Sequence, residues 1–144
     1  MLLPETSAYC ALRQEWAILQ NNYEQYEKHG LLIKLASIAL FVFNLAWGLN
    51  VAMTVSILLI MWVQEGICKT YQSRLGERIL RVEQHIRQSS VHTFFGYQLH
   101  SEWSAMRPEF TGLLAEYGKG MLRPTVAFSH VLLILMTIGW AMLR

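Results

Sequence analysis

Apolar side chains run almost unbroken through three stretches of this chain: Leu31 to Leu49, Val51 to Val63, and Pro124 to Leu143. A helix that crosses a bilayer needs about 20 mostly apolar residues, within a range of roughly 17 to 25. The first and third stretches reach that length. The second reaches it only by continuing through Gln64 and Glu65 to Cys68. The pattern therefore predicts spans over 31–49, 50–68 and 124–143. The link Trp47-Gly48-Leu49-Asn50 leaves room only for a tight helical hairpin between the first two.

The polar flanks of that hairpin carry a different periodicity. Ahead of the first span, Tyr9, Leu12, Trp16, Leu19, Tyr23 and Tyr26 recur at spacings of three and four, with mostly polar residues between them. Beyond the second, Cys68, Tyr71, Leu75, Ile79, Val82 and Ile86 repeat the pattern among charged neighbours. Such spacing marks one apolar face along a helix. If the chain folds back between Leu49 and Asn50, Ile79 falls beside Leu19, Val82 beside Trp16 and Ile86 beside Leu12. Each pair is offset by the same single residue, so the two seams stay in step. The expected fold is an all-α integral membrane protein with three transmembrane helices. Its first two form a hairpin that extends into a cytoplasmic antiparallel coiled coil, with Glu24 near the level of Arg74.

The chain reads as one membrane domain. Residues 1–30 form a cytoplasmic helix, and 69–123 form a cytoplasmic helical section. Within that section Phe94, Phe95, Leu99, Trp103 and Met106 suit one amphipathic helix. Pro108 suits the first turn of another, carrying Phe110, Leu113, Leu114 and Tyr117. The run Gly118-Lys119-Gly120 reads as a break before the third span.

Composition agrees with this reading. The chain is 53% hydrophobic and 15% charged, where soluble domains carry about 25% charged residues. It contains no aspartate, which suits helix interiors because Asp competes with the backbone for hydrogen bonds more than Glu does. All basic residues except Arg144 fall on the side of the hairpin's open end. The positive-inside bias assigns that side to the cytoplasm, with the C-terminus outside. A bacterial inner (plasma) membrane is the expected location. The net charge of +2, with no basic block interleaved with aromatics, gives no reason to expect nucleic acid as a partner.

Enzyme signatures are absent from the sequence. There is no GxSxG, P-loop, GxGxxG or HExxH element, and Cys10 and Cys68 stand far apart. His85, His92, His100 and Glu102 have no metal-ligand spacing. No catalytic residue, metal site or cofactor is predicted. A weaker alternative is lipid-headgroup chemistry near His92, His100 and Glu102.

Polar positions inside the spans are the candidate sites. Lys34 and Glu65 are equidistant from the hairpin turn, so they should meet at matched depth. That arrangement reads as an ion pair locking the register or as a charged vestibule. Asn44 stands level with Thr54 and Ser56. Lys34, Ser37, Phe41, Asn44 and Gly48 share one stripe, which serves helix packing or, in an oligomer, the lining of a pore. His130 reads as a packing histidine or a proton relay, and Ala127, Thr137 and Gly139 offer small surfaces to a neighbouring helix. The expected function is a non-enzymatic membrane module that assembles with itself or another membrane protein. The alternative is an oligomeric channel.

Overall fold

The computed structural model describes residues 4–87 and 110–143, all helical apart from two short turns. Helix α1 spans Pro4–Trp47, α2 Val51–Arg87, α3 Phe110–Met121 and α4 Pro124–Leu143. The amphipathic segment expected around Phe94–Met106 and the Pro108 turn lie outside the described residues.

Helices α1 and α2 form the hairpin, and local chemistry explains its sharp bend. Gly48 has φ 63°, a left-handed conformation that only glycine adopts without steric cost. Its amide donates to the Asn44 carbonyl at 2.9 Å, closing α1 as a left-handed cap does. Leu49, expected as the last residue of the first span, instead belongs to the turn. Asn50 then caps α2, its side-chain Oδ1 accepting the Met53 amide at 3.2 Å.

The two apolar seams meet. Leu12, Leu19, Leu75, Ile79 and Val82 form one buried cluster, with Tyr23, Tyr26 and Ile86 packed against it. Trp16 sits at the edge and donates its indole N–H to Glu83 at 3.0 Å. Set into this seam is an ion pair that periodicity did not announce. Arg78 donates from Nε and Nη2 to one oxygen of Glu15, at 2.9 and 2.8 Å, and both side chains are buried. Arg74, expected level with Glu24, sets its guanidinium against Glu116 of α3.

Helix α3 lies on α2 at a crossing that only glycine permits. A Cβ on Gly66 would fall 2.3 Å from Met121 Cγ, and one on Gly120 would fall 2.5 Å from the Gly66 carbonyl oxygen. The expected break at Gly118-Lys119-Gly120 does not occur, because α3 runs through all three. Gly120 serves close approach rather than chain reversal. The turn comes later, at Leu122 and Arg123. Pro124 then opens α4, where its missing N–H and fixed φ suit the first helical turn. The Arg123 carbonyl accepts the amides of Val126 and Ala127.

Helices α1, α2 and α4 are long and apolar enough to cross a membrane. Where they pack together the usual distribution is inverted. Phe41, Leu58 and Leu133 form a small apolar cluster, but Ser37, Asn44, Thr54, Glu65, His130 and Thr137 are also buried. Leu31, Leu35, Val42, Ile60, Phe128 and Leu135 are exposed. A soluble monomer rarely exposes a contiguous apolar patch beyond a few hundred Å².

Candidate functional site

The polar positions read from the sequence converge on one place. Lys34 and Glu65 meet as their equal distance from the turn requires, with Nζ 3.1 Å from Oε1. From the turn to either residue is about 21–23 Å at 1.5 Å per residue. The third partner comes from α4. His130 Nδ1 lies 3.6 Å from the other carboxylate oxygen, Oε2. Glu65 and His130 are 0% exposed, whereas the Lys34 side chain keeps 29%.

Each helix supplies its residue for a local reason. On α1, Ser37 follows Lys34 by three positions, so both face α2 and α4. The Ser37 hydroxyl donates to the Ile33 carbonyl at 2.9 Å and lies 3.4 Å from His130 Nε2. On α4, His130 Nδ1 stands 3.1 Å from the Val126 carbonyl one turn back. Trp62 of α2 stacks on the imidazole, with ring planes 10° apart and centroids at 6.2 Å. The same indole donates its N–H to the Met121 carbonyl at 3.0 Å, which satisfies an orphan acceptor at the end of α3. Trp62 thus ties the site to the α3–α4 junction.

The charge arrangement is unusual for a purely structural pair. Neither oxygen of Glu65 receives a hydrogen bond of good geometry. The Lys34 ammonium therefore meets the carboxylate as a charge attraction without an aligned donor, and the His130 ring stands beside it at 3.6 Å. A carboxylate held in an apolar surrounding on such terms is costly.

The remaining expectations divide. Asn44 and Thr54 are buried in the same interior, and the Thr54 hydroxyl donates to the Asn50 carbonyl at 3.1 Å. Ser56 is exposed, and its hydroxyl donates to the Ala52 carbonyl of its own helix at 2.8 Å. The stripe from Lys34 to Asn44 faces the other two helices of its own chain. His130, read from the sequence as a packing histidine or a proton relay, stands beside Lys34 and Glu65. Depth alone would not have found it: His130 is six residues, about 9 Å, in from Pro124, whereas Glu65 is three residues, about 4.5 Å, from Cys68. Among the described residues no group of three His, Cys, Asp or Glu side chains is placed to hold a metal ion. His92, His100 and Glu102 lie outside the described residues.

No family model, curated protein or solved structure matches this chain.

Proposed function

We propose that this chain is a non-enzymatic integral membrane protein that spans the bilayer three times and acts by binding, either to copies of itself or to another membrane protein. In this reading the Lys34–Glu65–His130 cluster is the latch that fixes α4 against the hairpin. The observation that carries it is Glu65, wholly enclosed at the meeting of three helices, between a lysine from α1 and a histidine from α4. Ionisable groups inside apolar spans are expensive and mark function by default. Buried charge of this kind adds little net stability, and its best-attested use is to fix register or to switch between arrangements. A latch that sets the seat of α4 also sets the surface a partner meets.

Supporting the membrane setting, the exterior of α1, α2 and α4 is apolar while their shared interior is polar. Trp47 and Trp140 are exposed towards the turn end, where the far lipid interface would favour indoles. The hairpin arms beyond the apolar belt would form an antiparallel coiled coil on the cytoplasmic side. The pore alternative draws less support, since Ser37 and Asn44 are covered within a single chain.

Two measurements test the proposal. Molar mass in nanodiscs should exceed that of one chain, or a second protein should co-purify; a strict monomer without a partner argues against assembly. In a Cys68→Ser background, Cys10 and a probe at Arg81→Cys should react with an impermeant thiol reagent from the same side. Reaction from opposite sides would overturn the hairpin topology.

A further inference from the structure

A cleft of about 260 Å³ opens between α2 and α3, close to the start of α4. Its floor is built by the glycine crossing. Thr70 there donates its hydroxyl to the Gly66 carbonyl at 3.0 Å, with the Glu116 carbonyl at 3.3 Å. Three basic side chains line the walls: Arg74 from α2, Lys119 from α3, and Arg123 from the α3–α4 turn. Two carboxylates, Glu77 and Glu116, also face the cleft. Glu116 is engaged by Arg74, so the charges around the cleft sum to one positive. Arg123 donates from Nη2 to Ser73 Oγ at 3.1 Å, across the cleft from its own turn.

Depth decides what such a cleft would meet. The apolar run of α2 ends at Cys68, and α4 begins at Pro124. Thr70, Ser73 and Arg123 therefore stand at the edge of the apolar belt. The neighbouring Leu122 and Phe128 are exposed, at 73% and 72%. Basic side chains and hydroxyls face the cleft, and bare apolar surface begins beside it. A molecule that matches both has an anionic phosphate head and hydrocarbon tails. Basic pockets between spans on the cytoplasmic side bind such headgroups, and guanidinium groups suit phosphate oxygens.

We propose that this cleft binds the phosphate of an anionic phospholipid, with Arg123 and Lys119 as its principal ligands and Ser73 as a supporting donor. The assignment rests on the membrane reading. Failure of that reading would show first, as a chain that stays soluble and monodisperse without detergent.

The test is native mass spectrometry of the detergent-purified chain, titrated with short-chain phosphatidylglycerol, with phosphatidylcholine of the same chain length, or with inorganic phosphate. Phosphatidylglycerol should bind in preference to phosphatidylcholine. Its affinity should fall roughly five-fold for each basic side chain removed in Lys119→Gln and Arg123→Gln. Arg87→Gln, which removes the same charge at the far end of α2, should leave it unchanged. Because Lys119 is exposed, Lys119→Gln tests the site without disturbing the fold. Equal binding of the two lipids overturns the proposal, as does an equal loss in Arg87→Gln. Binding of inorganic phosphate alone assigns the cleft to a soluble anion and also overturns it.

Discussion

The Lys34–Glu65 pair should respond asymmetrically to the loss of each partner. Glu65 is 0% exposed, whereas Lys34 keeps 29% of its side chain accessible. Replacing Lys34 by Met strands a carboxylate with only His130 beside it. Removing one partner of a buried ion pair costs about 3–5 kcal/mol, since the remaining charge has no compensation. In Glu65→Leu the stranded group is Lys34, whose flexible stem can carry its ammonium towards the polar boundary. That escape reduces the cost to about 1–2 kcal/mol. In Lys34→Met/Glu65→Leu no charge of the pair remains, and well-packed apolar replacements of buried pairs are often neutral or stabilising. The double variant should therefore fall within about 1 kcal/mol of the parent. Unfolding of the micelle-bound protein by increasing dodecyl sulfate, followed by circular dichroism, supplies the four free energies of the cycle. These figures imply a coupling of at least about 3 kcal/mol, at or above the upper end of the roughly 0.5–3 kcal/mol seen for contacting residues, whereas independent ones add within about 0.5 kcal/mol. If the two single losses are equal and simply add, Glu65 is not enclosed as described and the latch fails with it.

Three other perturbations follow from the packing. Gly66→Ala forces a Cβ against Met121 and should destabilise by about 1–3 kcal/mol, while Gly118→Ala, with nothing within 4 Å, should gain about 0.5–1 kcal/mol; thermal melts of the two variants should move in opposite directions. Arg78→Met leaves Glu15 buried inside the hairpin seam and should cost about 3–5 kcal/mol, read as a lowered unfolding midpoint, and a midpoint equal to that of Arg81→Met would contradict the burial. Gly48→Ala places a side chain on a left-handed residue and should cost about 1–2 kcal/mol, seen in the same dodecyl sulfate titration.

The sequence by itself determined the three long apolar helices, their order and the register of the hairpin. Apolar runs of sufficient length, one short link and two seams at helical spacing leave few ways to fold residues 4–87. Equal distance from the turn was enough to bring Lys34 to Glu65. Periodicity fixes which side of a helix faces inward, and counting residues fixes depth. Neither says which neighbour stands on that side. The seat of α4 was therefore invisible, because no pattern in the sequence between α2 and α4 says where the last helix lands around the hairpin. The neighbours of His130 were hidden for that reason.

Only the tertiary structure decided that the three ionisable groups share one site. It also decided that Gly66 and Gly120 mark a crossing rather than a flexible break. A glycine in a sequence signals either conformational freedom or the need for space, and the difference lies in an atom of another helix. The same holds for Arg78 and Glu15, which resemble solvated surface charges until the two seams close over them. Local pattern reports what each helix prefers to bury. The partners of a buried charge are set by long-range packing, because electrostatic compensation depends on distances that no run of residues encodes.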